Sequence, residues 1–366
     1  MYIHEAQDWP HFLWRDERLI APLGSLRQRL GRLQGQLDAL GLLPQAETTL
    51  ASLTQDALRS AEIEGETLEL QQVRSSVARR LGIEIADPVP ASREVEGMVD
   101  LTLDAVRHCH EPVTQERLLA WQASLFPTGR SGLFRIRTGA WRDDAHGPMQ
   151  VISGGFGRER VHFQAPAAER LPGEMRRFLA WFEADSDLDP ILHAAIAHLW
   201  FLTLHPFDDG NGRIARALTD LRLSRMDGGT VRCYSLSAAI LAERKEYYRV
   251  LEFTQGGTME ITAWLEWFLG CLDRALERAE ETIRDVLRRH AFWQRQAGIV
   301  FNERQRKLLT LLLEGFEGKL TSGKWAKLAR CSSDTALRDL QALVERGILE
   351  RDDGGGRSTG YRIVEA

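Results

Sequence analysis

The chain has 366 residues, 43% of them hydrophobic and 27% charged, with a net charge of −5. That length predicts two or three domains with a core of ordinary size, and the charge argues against wholesale nucleic-acid or membrane binding. Cys109, Cys233, Cys271 and Cys331 show no CxxC pairing, no basic-then-apolar leader opens the chain, and no apolar run approaches a bilayer's thickness, so packed thiols in a reducing cytoplasm are expected, with no membrane partner.

Taken in chain order, Trp9, Phe12 and Trp14 form a small hydrophobic anchor. Leucines at 23, 26, 30, 33, 37 and 40 then fall on one face of a helix. Under three heptads favour packing over a coiled coil, although a homodimer stays open. Helical patterns cover 48–80 and 90–108, joined by an acidic, proline-bearing connection over 83–90. A β-rich island follows, with short strands at 134–138, 150–153 and 160–163, and turns at Gly147-Pro148 and Gly154-Gly155. Helices resume over 171–183, 190–204, 213–225, 237–251 and 258–289, with Asp189 as cap and Pro190 in the first turn of the second. From about 302 the pattern is three helices (303–314, 322–329, 333–346) and two strands (348–351, 361–364) around a glycine-rich loop. That is the order of a winged helix-turn-helix.

The chemistry concentrates in one run: His205-Pro206-Phe207-Asp208-Asp209-Gly210-Asn211-Gly212-Arg213-Ile214-Ala215-Arg216. It is a loop feeding a helix N-terminus. Gly210 and Gly212 let the backbone approach a ligand, and successive N–H groups reinforced by the helix dipole make an anion nest. Arg213 and Arg216 are one helical turn apart and can face the same phosphates. Asp209 adds a hard oxygen ligand where a phosphate-bridging Mg²⁺ would sit, and His205 is a titratable base at the loop's start. The set spells phosphoryl or nucleotidyl transfer. His193 and His198, five apart, are poorly spaced for a metal and are expected to pack. His108-Cys109-His110 lacks a partner cluster for zinc.

This run resembles the Fic-family signature HPFx(D/E)GNGRxxR at every defined position, and the resemblance extends over about 51–276. It implies a mostly α fold with a Fic helical core (about 96–290) and a β-hairpin flap, behind an N-terminal helical region (1–95) and ahead of the winged helix (300–366). It also implies protein AMPylation, the transfer of AMP from ATP to a Ser, Thr or Tyr hydroxyl. By that resemblance His205 is the base and Asp209 holds Mg²⁺. Asn211 and the Gly210–Gly212 backbone bind the α-phosphate, Arg213 assists the leaving pyrophosphate, Arg216 holds the γ-phosphate, Phe207 points into the core and Pro206 stiffens the loop. Ser60 to Gly65 fits the family's inhibitory pattern (S/T)xxxE(G/N) on a helix at about 50–66, so Glu64 is expected to pair with Arg216 and restrain the enzyme.

The hairpin at Val161, His162 and Phe163 matches the flap along which a target protein binds by strand addition, although Ala165-Pro166 replaces the double proline many relatives carry. The stretch 141–157 is longer than a minimal flap. Tyr247 and Tyr248 match a pair lining the adenine pocket in relatives, and Gln255 stands where some have a polar adenine contact. The opening segment resembles an extension often attached to bacterial Fic proteins. Three alternatives are open: removal of AMP by the same site, transfer of another phosphate-containing group as in some relatives, against which Asp209 and Arg216 favour a nucleoside triphosphate, and a DNA-binding regulator acting through the winged helix. DNA is the less favoured partner, because Arg338 shares its helix with Asp334 and Asp339.

Overall fold

The structure, a computed structural model, describes residues 1–38, 42–145, 147–154, 160–228, 232–313, 315–316, 318–352 and 359–364. Of the features predicted above, Leu40, Gly155, Glu314 and the loop 353–358 lie outside these residues. The chain divides into two compact units, Met1–Val286 and Leu287–Ala366.

The first unit opens with a 3-10 helix (Ile3–Glu5) and successive turns, and then α1 (Asp16–Asp38), whose Leu19, Leu26, Leu33 and Leu37 are buried. The predicted continuous helix over 48–80 is two helices, α2 (Leu42–Ile63) and α3 (Leu70–Leu81). Gly65, at φ 85°, ends the first, and Glu69 starts the second by accepting the N–H groups of Gln71 (3.0 Å) and Gln72 (2.8 Å). After α4 (Arg93–Arg107) comes α5 (Gln115–Leu125), a helix the sequence reading leaves unassigned. Its signals are the cap Thr114, accepting from Arg117 N at 3.2 Å, and the 3,4 spacing of buried Leu118, Trp121 and Leu125. Two antiparallel hairpins follow, β1 (Arg130–Ser131) with β2 (Phe134–Arg135), and β3 (Gln150–Ser153) with β4 (Arg160–Gln164).

Then come α6 (Leu171–Glu183), α7 (Pro190–Leu204) and α8 (Asn211–Met226). Helix α7 is buried at every position from Ile191 to Leu204, the pattern of a central helix. Asp189 caps it through Ile191 N at 2.8 Å. The predicted helix over 237–251 is divided at Glu243 into α9 (Leu236–Ala242) and α10 (Arg244–Gln255), before α11 (Thr262–Arg295). The N-terminal helices, expected as a separate region, share the core of this unit: α2 packs against α4, α8 and α9.

His193 stacks on Trp181 with ring centroids 4.1 Å apart, and His198 bonds Thr219 Oγ1 and Tyr247 Oη, each at 2.9 Å. Burial pulls both histidines down to about 3. The unfolded chain, with histidines near 6.5, therefore binds more protons than the folded one. Their contribution to stability is present above pH 6.5 and lost as the pH falls toward 3. The melting temperature should drop between pH 7 and pH 5; an equal value at both would contradict the burial of these rings.

In the second unit, α12 (Glu303–Leu313), α13 (Ser322–Leu328) and α14 (Ser333–Glu345) surround Trp325, which is fully buried, and the antiparallel pair β5 (Leu349–Arg351) and β6 (Tyr361–Ile363) closes it. Asp339 is not on the exposed face of α14. It is buried, accepting from Arg304 Nε at 2.8 Å and Asn302 Nδ2 at 3.0 Å. Among the described residues all four cysteines are free, and no helix is long and apolar enough to cross a membrane.

Candidate active site

The loop between α7 and α8 presents its groups by backbone conformation. His205 takes a left-handed conformation (φ 47°, ψ 57°) at the end of α7, which turns the ring out of the helix. Its Nδ1 lies 3.3 Å from Leu202 O, an acceptor only, so Nδ1 carries the proton and Nε2 keeps its lone pair. Burial pulls His205 down to about 4, leaving the ring uncharged at neutral pH. Phe207 is fully buried against Trp141, at 5.0 Å between ring centroids. Asn211 Oδ1 accepts from Phe207 N (3.0 Å) and its Nδ2 donates to Phe207 O (2.8 Å). The amide is thus spent shaping the loop, so the role expected of Asn211 at a phosphate passes to its backbone N–H.

Gly210, at φ 92°, starts α8 without a side-chain cap, so the first-turn amides stay available to an anion. A Cβ at Gly212 would strike Glu64 Oε1. A carboxylate therefore already lies against this helix N-terminus, at the closest approach the missing side chain permits. Glu64 stands in the turn just after α2, and Arg216 reaches back to that turn. Arg216 Nη2 donates to Glu64 Oε1 at 2.7 Å and to Ser60 O at 2.8 Å, while Nε donates to Ser60 Oγ at 2.8 Å. Arg213 Nη1 meets Glu66 Oε2 at 2.6 Å and its guanidinium lies 4.8 Å from the Phe126 ring centre. Both arginines are almost wholly buried, yet Arg213 Nε and Nη2 and Arg216 Nη1 have no hydrogen-bond partner. Unpaired guanidinium donors beside free amides fit a polyanionic ligand.

Asp209 bonds Ser131 Oγ, and its Oδ1 accepts from Gly210 N at 2.5 Å. Its side chain is 38% exposed on the open side of the nest. No three His, Cys, Asp or Glu residues gather into a metal cluster among the described residues. One exposed carboxylate suits a Mg²⁺ whose remaining ligands are phosphates and water.

Two contributors, Arg142 and Arg137, escaped sequence reasoning, and a third, Glu66, stood beside Glu64 but outside the inhibitory register. Arg142 Nε donates to His205 O at 2.8 Å, its backbone N donates to Pro206 O at 2.9 Å, and its buried side chain also pairs with Asp144 at 2.8 Å. With Trp141, which packs on Phe207, it braces the loop between α7 and α8 from behind. Arg137 N donates to Asp208 Oδ2 at 2.8 Å. Glu66 holds Arg213, whereas Glu62 pairs with Arg59 on the surface. No local pattern in the sequence marks Arg142 or Glu66.

Residues 112–223 match the family model described as Fic/DOC family. The segment that carries the site is thus a Fic domain. Residues 2–83 match a second model, described as a domain of unknown function (DUF4172). The chain is 26% identical over 261 residues to a protein named protein adenylyltransferase Fic from Drosophila mojavensis, covering 68% of this chain and 47% of that one. The Drosophila virilis protein of the same name is 26% identical over 261 residues, with 68% and 48% covered. The chain thus spans about half the length of the curated relatives it matches. Among solved structures, a Fic family protein from Desulfovibrio desulfuricans superposes with a TM-score of 0.52 at 22% identity, covering 95% of this chain and 96% of that one. Residues 134–508 of Fic-1 from C. elegans give 0.51 at 21%, covering 72% and 73%. These likenesses show the fold.

The hairpin residues divide. Val161 is 43% exposed opposite Ile152, on the accessible side. His162 is engaged, Nδ1 to Glu252 Oε2 at 2.8 Å and Nε2 to Ser153 Oγ at 2.5 Å. Phe163 is a correction: it is buried, edge-on to Tyr2 at 5.1 Å, and has no surface to offer a ligand. Tyr247 is buried with its hydroxyl on His198, and Gln255 Nε2 donates to Thr203 Oγ1 at 3.3 Å, so both are packing groups here. Tyr248 is the exposed member of the tyrosine pair, with its hydroxyl 3.4 Å from Ile63 O beside the α2 turn.

Proposed function

We propose that this protein transfers AMP from ATP to a hydroxyl of another protein and that the turn carrying Glu64 and Glu66 holds it inactive. The observation that carries the reading is the Glu64 carboxylate on the N-terminus of α8, bonded to Arg216, in the place a phosphate oxygen would take. The names of the curated relatives support the activity. His205 Nε2 takes the proton of the acceptor hydroxyl, whose oxygen attacks the α-phosphorus. The bond to the bridging β-phosphate oxygen breaks and pyrophosphate leaves. The α8 amides hold the α-phosphate, and Arg213 and Arg216 meet the charge gathering on the β- and γ-phosphates. A Mg²⁺ held by Asp209 and the phosphates would neutralise part of that charge. Bound triphosphate also raises the His205 pKa from about 4 toward neutrality, because a nearby anion favours the imidazolium. The base thus strengthens when substrate is present.

Calorimetric titration tests the binding half. With Glu64 removed, ATP should bind more tightly than ADP, and Arg216→Ala should erase most of that difference. An ATP-to-ADP ratio unchanged by Arg216→Ala would overturn the assignment. Glu66 gives a separate expectation: burial outweighs Arg213 and raises its pKa. Glu66→Gln should free Arg213 from its closest anion, leaving Asp209 at 3.6 Å, and raise transfer severalfold, less than loss of Glu64 does. A Glu66→Gln rate equal to wild type would remove Glu66 from the restraint.

A further inference from the structure

We propose that the N-terminal segment from Tyr2 to Trp9 is a strap that positions the β3–β4 hairpin and, through it, His205. This assigns a role to the opening of the stretch matched as a domain of unknown function. It rests on the transfer reading only for why His205 needs holding. Ile3 is fully buried and His4 nearly so. His4 Nε2 donates to Gln164 O at 2.8 Å, since a carbonyl only accepts. Tyr2 and His4 both pack on Phe163, at 5.1 and 5.8 Å between ring centroids. The strap's far end is fixed by Trp9 Nε1 donating to Glu174 Oε2 at 3.1 Å.

The position of that bond gives it its effect. Ala165 N donates inward to Met149 O at 2.9 Å, so the preceding carbonyl, Gln164 O, faces away from β3 along the outer edge of β4. His4 closes the edge there, at the base of the hairpin. Two residues on, Pro166 O accepts from Arg142 Nη2 at 2.5 Å, and the same guanidinium holds His205 O at 2.8 Å. Strap, hairpin base, Arg142 and His205 are thus joined by single hydrogen bonds and a two-residue step of chain. The first half of β4 is tied separately, by Arg160 and His162 to Glu252. His4 is a positioning residue.

Hydrogen–deuterium exchange on the full chain tests this without assuming any activity. In His4→Ala, amides 160–165 should exchange at least tenfold faster while those of α7 and α8 keep their rates. His4→Gln, which restores a donor of similar reach, should return the hairpin to near wild-type protection. Unchanged exchange at 160–165, or equal acceleration in α7 and α8, would overturn the proposal. Should His4→Ala fold poorly, Tyr2→Ala gives the same comparison at a more accessible position. In the Glu64→Gly background, His4→Ala should slow self-labelling from α-labelled ATP at least fivefold and leave ATP affinity within twofold. A loss of both together would mean general unfolding and count against a positioning role. If Glu64→Gly labels nothing, the transfer reading fails, while the exchange result still decides the strap.

Discussion

Glu64→Gly should raise AMP transfer at least tenfold over the parent chain, equivalent to about 1.4 kcal/mol. On the proposed function the parent site is closed by its own carboxylate. Arg216 is almost fully buried, and its strong partners, Ser60 and Glu64, all come from the end of α2. Glu64 also lies where a Cβ of Gly212 would be, so a phosphate cannot lie on the α8 amides until the carboxylate leaves. Removing it opens the nest and frees Arg216 Nη2 in one step. The same change leaves a buried cation short of a partner, which should cost about 1–3 kcal/mol of stability in the absence of nucleotide. ATP should restore it by mass action. Differential scanning fluorimetry should show a lower melting temperature for Glu64→Gly alone and a larger upward shift with Mg-ATP than the parent gives. A parent-like rate together with a parent-like ATP shift would remove Glu64 from the restraint.

His205→Ala in the activated chain should lower transfer by about 10²- to 10⁴-fold, the usual range for loss of a general base. ATP affinity should hold, because the phosphate-facing donors come from the α8 backbone, Arg213 and Arg216. The backbone at His205 is left-handed, which alanine tolerates poorly. His205→Asn, better suited to that conformation, is therefore the control: it should be as inactive as alanine and melt closer to the parent. Transfer retained in His205→Asn would show that another group takes the proton.

Much of this site was legible in the sequence because the chemistry is packed into twelve consecutive residues. Loop, helix start, paired arginines and acid follow from local spacing alone. Glu64 was legible through the register of Ser60, Glu64 and Gly65, where a helix end forces the side chain off the axis. Helices α6 and α7 were legible to the residue because proline, capping Asp189 and an apolar face agree. The end of α2 was legible at Gly65, but the separate start of α3 was not, since the helical pattern resumes soon after the turn and Glu69 is an uncommon cap. Arg142 and the His4 strap were not legible, because each acts across 63 to 160 residues of sequence, and Glu66 was passed over because the register pointed to Glu64. Asp339 misled for the converse reason: its charge suggested a solvent face, and its burial depends on Arg304, 35 residues away.

The most direct test of the central claim incubates parent, Glu64→Gly and Glu64→Gly/His205→Ala chains with Mg²⁺, a cell lysate and ATP labelled at either the α- or the γ-phosphate. The account predicts protein-bound label from α-labelled ATP with Glu64→Gly alone, and none from γ-labelled ATP with any chain. Label from the γ-position would make the reaction phosphoryl transfer. Absence of α-label with Glu64→Gly, with AMP released from AMP-modified protein by the parent, would contradict forward transfer and assign the site to the reverse reaction.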